Sequence, residues 1–229
     1  MKFIKTLLIL AITTTAMTAQ NAVSQPTVDV TGEGIVRVVP DQVTISIRVE
    51  NTGDNPTNLK RQNDAVISEV LKFLKKKNIA EKDVKTQYMN LSKSYNHNNK
   101  TYTYAANQSL SVKLRDLSKY ESVMNGLLET GINRIDGVQF SSTNEEALKS
   151  EARKKAIVNA QMKAKEYTSV LNQTIGKAIS ISEMGSSPRP QPMYKMEMMD
   201  SSSSGSGGQT IALGEIEIKS VVNVSFLLN

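Results

Sequence analysis

The C-terminal run LGEIEIKSVVNVSFLLN is long and strongly alternating, with Ile216, Ile218, Val222, Val224 and Phe226 on one face. Such a strand has one buried and one wet side, so it must join a sheet and have its apolar face covered. The same two-residue period occurs near the other end, where Val43, Ile45, Ile47 and Val49 alternate with Thr44, Ser46, Arg48 and Glu50. Whatever lies between these strands has to bring them into sheets.

Much of the intervening chain changes to a helical period. From Asn55 to Lys77, Leu59, Val66, Val70, Leu71 and Leu74 share a stripe, and Lys72, Lys75, Lys76 and Lys77 crowd the last turns, where the helix dipole favours cations. Val84 to Lys93 and Tyr102 to Leu114 read as a hairpin with the polar tip SYNHNNK. A helix over Asp116 to Thr130 closes at Gly131, and Ile135 to Ser141 is a strand. The longest helix spans Asn144 to Leu171, with Asn144 as its expected N-cap and Glu145 and Glu146 in its first turn. Ala152, Ala156, Ala160 and Ala164 repeat every four residues along it, a small-residue ridge that lets a helix lie close to a sheet or another helix. Lys177 to Met184 is a further strand. Three times a helix ends at Asn or Gly and a strand follows, in FLKKKNIAEKDVKTQYMN, GLLETGINRIDGVQFSS and SVLNQTIGKAISIS. The expected fold class is α+β, a mainly antiparallel sheet packed against helices, built from repeated helix-turn-strand and hairpin units. The connections are short and the strands interleave, so residues 27–229 are expected to be one domain with no clean split.

The N-terminal residues MKFIKTLLILAITTTAMTAQNA have a basic start at Lys2 and Lys5 and an apolar run, Leu7 to Ile12, too short to span a bilayer. Residues 1–19 are expected to be a signal peptide, cleaved near Ala19, which leaves no transmembrane span. With no Cys, the chain cannot carry a lipid on cysteine or rely on disulfides and must fold by core burial alone. The formal charge of +6 becomes about +4 without Lys2 and Lys5. The remaining charges are interspersed, and there are seven Tyr, four Phe and no Trp, so neither a nucleic-acid patch nor a stacking platform is expected.

In VTGEGIVRVVPDQ the glycine pair leads into another strand, whereas a phosphate loop opens a helix. Gly32 and Gly34 are read as permitting a bulge or sharp bend, Pro40 as fixing a turn, and Asp41 as bonding local backbone amides. His97 is the sole histidine and sits in the hairpin tip, so a catalytic triad or multi-histidine metal site is excluded. The carboxylate pairs Glu50 with Asp54 and Glu145 with Glu146 lie at a strand end and a helix start, positions that explain them without catalysis. No catalytic residue, cofactor or enzymatic activity is expected. The unusual composition lies in residues 185–210, a Pro-, then Met-, then Ser/Gly-rich loop read as a mobile excursion from a hairpin. Met193, Met196, Met198 and Met199, with Met184 upstream, are soft thioethers suited to Cu(I) or to an adaptable apolar contact. A metal- or ligand-binding periplasmic protein using this loop is therefore the alternative function.

The run from Val30, with Gly32, Gly34, Pro40, Asp41 and Val43, resembles the N-terminal motif of SIMPL-domain proteins, V-x-G-x-G-x(5)-P-D-x-(A/V) followed by an alternating strand. KNIAEKDVKTQYMNLSKSY, the segment GINRIDGVQFSS with the Ala-rich helix after it, and the closing IEIKSVVNVSFLL match the family in the same order. The likeness covers residues 27 to 229; Val43 stands where Ala is frequent, and the 185–210 composition is this chain's own. The resemblance implies an exported protein of the periplasm or outer cell envelope of a Gram-negative bacterium, without an established catalytic site. It also implies a homo-oligomer, contact with the envelope or outer membrane, and relatives that are immunogenic or linked to oxidative-stress defence.

Overall fold

Strands β1 (Thr27–Val38) and β2 (Gln42–Gly53) are consecutive, yet they belong to different sheets. The structure, a computed structural model, describes residues 25–97, 100–184, 192–193 and 213–229. The expected signal peptide at 1–19 lies outside the described residues, as does the 185–210 loop apart from 192–193.

The first sheet has the order β1, then β8 (Glu215–Leu228), then β6 (Ile175–Glu183), with the two-residue β7 (Pro192–Met193) also pairing with β8. Helix α3 (Glu145–Val170) covers β1 and β8. The second sheet has the order β3 (Val84–Asn96), β4 (Thr101–Leu114), β2, β5 (Arg134–Ser141). On it pack α1 (Pro56–Lys76) and α2 (Tyr120–Glu129). Every strand pairing is antiparallel, and the overall class is α+β. The succession β2-α1-β3-β4-α2-β5 with that order is a split β-α-β arrangement, in which each helix crosses over one intervening strand. This whole unit is inserted in sequence between β1 and α3.

The alternation seen in the sequence buries its apolar phase: Val43, Ile45, Ile47 and Val49 are 0–1% exposed. They pack with Val70, Leu74, Leu110, Val112 and Leu127. Burial of such side chains is worth about 1.5–3 kcal/mol each. In β8, Ile216, Ile218, Val222, Val224 and Phe226 are buried, facing a different layer. The sheet-facing side of α3 is Ala152, Ala156, Ala160, Ala164 and Thr168, all buried. All three helices leave through a left-handed residue, Asn78 (φ 57°), Gly131 (φ 91°) and Asn172 (φ 54°), the stop signals expected at each helix-to-strand turn.

Four local expectations are corrected. Gly32 and Gly34 make no bulge, for β1 runs in unbroken register against β8, with Gly32 opposite Val222 and Gly34 opposite Ser220. They are bare because α3 lies on them: a Cβ on Gly32 would stand 2.0 Å from the Ala156 carbonyl oxygen, and one on Gly34 the same distance from that of Ala152. Asp41 bonds chiefly across the chain rather than to local amides, its own amide being a minor contributor to its lowered carboxyl beside Thr143. Its Oδ1 accepts from the Thr143 amide at 2.7 Å and its Oδ2 from the Thr143 hydroxyl at 2.5 Å, while its own amide donates to the Ser141 carbonyl. Leu71 is 46% exposed, and Asn63 and Ile67 complete the buried stripe of α1. Asn144 precedes α3 without a side-chain cap bond, its φ −95°, ψ 20° being outside the extended conformation that directs a cap inward.

Candidate functional site

The β3–β4 hairpin exposes a run of large apolar side chains: Tyr88, Met89, Leu91, Tyr95 and Tyr102. From Tyr88 to Asn96, β3 alternates Met89, Leu91, Lys93 and Tyr95 with Asn90, Ser92 and Ser94, the pattern of a half-buried strand. Yet Met89 is 66% exposed and Leu91 51%. Across the hairpin, Tyr95 opposes Tyr102 and Lys93 opposes Tyr104. The Lys93 ammonium stands 3.8 Å above the Tyr102 ring, and the Tyr95 ring lies 5.0 Å from that of Tyr102 and 4.9 Å from the His97 imidazole. Nearby is a shallow cleft of about 600 Å³ lined largely by hydroxyls, among them Thr52, Ser92, Ser94 and Thr103.

Six charged side chains on or beside the second sheet are paired into structural bonds. Arg48 bonds Asp136 at 2.7 Å and lies over the Tyr88 ring at 5.4 Å. Arg134 bonds the same carboxylate at 2.9 Å and reaches Glu50 at 3.9 Å, so the group lashes β5 to β2. Arg115 grips Asp83 through two bonds of 2.8 and 2.7 Å. Those bonds hold the Asp83 carboxyl below the usual carboxylate range, against the opposing effect of burial. The Thr143 hydroxyl and amide lower Asp41 in the same way. Through Asp41 the two connections between the sheets, after β1 and before α3, are tied together.

The structure brings the sequence candidates together only in part. Met193 forms its short backbone pairing opposite Glu215; Met196, Met198 and Met199 lie outside the described residues. Met184 ends β6 and is exposed, with its amide bonded to the Val221 carbonyl. Glu145 and Glu146 both grip Lys149, and His97 is an exposed tip residue. Among the described residues no group of three or more His, Cys, Asp or Glu could hold a metal ion, and no helix is long and apolar enough to cross a membrane. What sequence reasoning missed is the open apolar face of β3. Its alternation was legible, but nothing local says that no layer of the described residues covers it.

The SIMPL family model, described as a protein of unknown function (DUF541), matches residues 28–226. An uncharacterized protein of Escherichia coli strain K12, YggE, is 29% identical over 206 residues, covering 89% of this chain and 83% of its own. The 26 kDa periplasmic immunogenic protein of Brucella melitensis is 27% identical over 206 residues, covering 86% and 82%. YggE of Edwardsiella ictaluri is 26% identical over 209 residues, covering 89% and 87%. With the ordered motifs, the two sheet layers and a family match over nearly all of the described chain, this protein belongs to the SIMPL family.

Proposed function

We propose that this is an exported, non-enzymatic protein of the Gram-negative periplasm or outer cell envelope, which works as a self-assembled homo-oligomer. The carrying observation is the β3–β4 hairpin. Strand β3 has the alternation of a half-buried element but presents Met89 and Leu91 to solvent, and β4 adds Tyr102, each more than half exposed. Contiguous exposed apolar side chains mark contact surfaces. The periplasmic name of the Brucella relative and the leader-like residues 1–19 favour the envelope. Light scattering on the protein without residues 1–19 tests the assembly; a mass that stays monomeric at high concentration overturns it. Osmotic-shock fractionation tests the compartment, which fails if the protein stays with the spheroplasts. The exposed thioethers of Met89, Met162 and Met184 are open to reversible oxidation, which favours a part in oxidative-stress defence. A deletion strain no more sensitive to peroxide than its parent removes that part.

The second reading is soft-metal binding by Met193, Met196, Met198 and Met199. It is favoured by the pairing of Met193 with Glu215, which places the start of the methionine run at the first sheet. Cu(I) titration of the protein against a variant with these four changed to Ser decides it; equal binding removes it.

A further inference from the structure

Among the described residues the two sheets have four outer edges, β1, β6, β3 and β5, and three are blunted by devices that discourage strand addition. At β1, three α3 side chains spaced four residues apart reach over the free edge: Lys163 to the Thr31 carbonyl at 2.9 Å, Asn159 from the Glu33 amide at 3.0 Å, and Lys155 to the Ile35 carbonyl at 3.5 Å. They occupy backbone groups that a new strand would need. At β6 the register shifts twice within nine residues. At β5 the strand has eight residues, is bulged at Asp136 opposite Ser46 and Ile47, and carries Arg134 and Asp136. Bulges and charges are recognised protections of an edge.

The fourth edge, β3, confines its irregularity to its first four residues. Its one register shift lies between Thr86 and Tyr88, and from Tyr88 to Asn96 nine successive residues hold regular register with β4. That stretch contains no proline and a single charge, Lys93. It is a long, regular edge with one largely apolar face, of the kind natural sheets otherwise avoid exposing.

We propose that β3 pairs with β3 of a second copy of this chain, antiparallel across a two-fold axis at Ser92, joining two four-stranded sheets into one. The regular stretch determines the register, since Ser92 is the midpoint of Tyr88–Asn96. About that point the strand is self-complementary. Met89 meets Tyr95 of the other copy on the apolar face, and Leu91 meets the stem of Lys93, so the two lysines do not oppose each other. On the other face Asn90 meets Ser94, and Ser92 meets itself. An isologous contact of this kind closes as a dimer and needs no second surface. It would satisfy the free backbone groups of the β3 edge and set the apolar side chains of the two copies side by side on one continuous face. The inference rests on the self-assembly reading above and adds to it the surface, the symmetry and the register.

The absence of cysteine makes the test clean. Residues directly opposed in antiparallel strands have Cα atoms about 4.5–5.5 Å apart, within disulfide reach. Ser92→Cys alone should therefore give a reducible covalent dimer under mild oxidation. Asn90→Cys alone should not, because its two copies would be separated by roughly 14 Å along the strands. A mixture of Asn90→Cys and Ser94→Cys proteins should link to each other. Leu91→Lys, which sets like charges face to face, should lower the assembly mass by one two-fold step, and Leu91→Lys with Lys93→Glu should restore it at an unchanged melting temperature. If the protein assembles but Ser92→Cys does not link, the β3 pairing is overturned while self-assembly stands. A wild-type protein that is strictly monomeric overturns both. A Ser92→Cys cross-link in cells that carries only a different protein overturns the second copy as occupant.

Discussion

Gly32 lies directly under Ala156, so close that a Cβ on the glycine would meet the Ala156 carbonyl oxygen at 2.0 Å and the Ala160 Cβ at 2.7 Å. Neither obstacle can rotate away, because one is helix backbone and the other a helix methyl with no torsion to turn. Gly34 stands in the same relation to Ala152 and Ala156. The glycine pair and the four-residue alanine ridge are thus two sides of one contact, which brings α3 closer to β1 than side chains on both would permit.

A graded series of alanine substitutions follows from these distances. Gly32→Ala and Gly34→Ala force the helix off the sheet and should each cost about 3 kcal/mol or more. Gly126→Ala would meet the Phe73 ring at 2.1 Å, but that ring is a side chain that can shift, so its cost should fall between the extremes. Gly137→Ala meets nothing within 4 Å and should stay within about 0.5 kcal/mol. Urea unfolding of the four variants checks the order; equal costs at Gly32 and Gly137 would contradict the close contact.

The helix ends give a second contrast. Gly131 closes α2 at φ 91°, where a Cβ costs about 1–2 kcal/mol. Gly131→Ala should therefore lower the melting temperature by about 2–8 °C. Asn172 holds φ 54° at the end of α3, a conformation Asn tolerates. There Asn172→Gly trades a small steric relief against added freedom of the unfolded chain, and the melting temperature should change by no more than about 2 °C.

Acid should weaken the fold through Asp83 and Asp41. Hydrogen bonds from Arg115 and Thr143, respectively, hold each carboxyl below the ordinary aspartate value of 3.8. A group whose folded pKa is depressed adds stability above its unfolded pKa and loses it as pH falls through the folded one. Asp83→Asn and Asp41→Asn should each reduce the urea midpoint at pH 7. The differences from wild type should shrink as pH falls below the ordinary aspartate range and be lost once it has passed through the lowered folded values. A deficit that is constant across this range would assign the loss to packing instead of ionisation.

Much of this architecture was legible because it depends on periods within one segment. The strands at Val43–Val49 and Ile216–Phe226, the three helices and their Asn or Gly stops need only local information. What failed was long-range. The glycine pair and the alanine ridge were both visible, but they are more than a hundred residues apart, and nothing in either names the other as its partner. Asp41 reads as a local turn residue because its acceptor role is answered by Thr143, 102 residues away. Leu71 fits the helical stripe as well as Ile67 does; the sheet's position against α1, which no period encodes, chooses Ile67. For the site the limit was of another kind, since alternation in β3 reveals an apolar face but not whether its cover belongs to the same chain.

The capped edge of β1 predicts a failure of solubility more than of stability. Lys155, Asn159 and Lys163 sit on one flank of α3 and touch β1 only through backbone groups at its rim, while the buried alanines carry the packing. Replacing all three by Ala leaves that packing in place, and exposed side-chain-to-backbone bonds of this kind contribute modestly to folding. The triple variant should therefore melt within about 5 °C of wild type. Its β1 edge, however, would present the Thr31 and Ile35 carbonyls and the Glu33 amide unblocked along a regular strand of twelve residues, a template for strand addition. Incubated below its melting temperature, the variant should form thioflavin-positive aggregates several-fold faster than wild type. The single change Asn159→Ala should fall between, because it frees the one amide donor in the set. Equal aggregation rates for wild type and the triple variant would show that these three residues do not guard the edge.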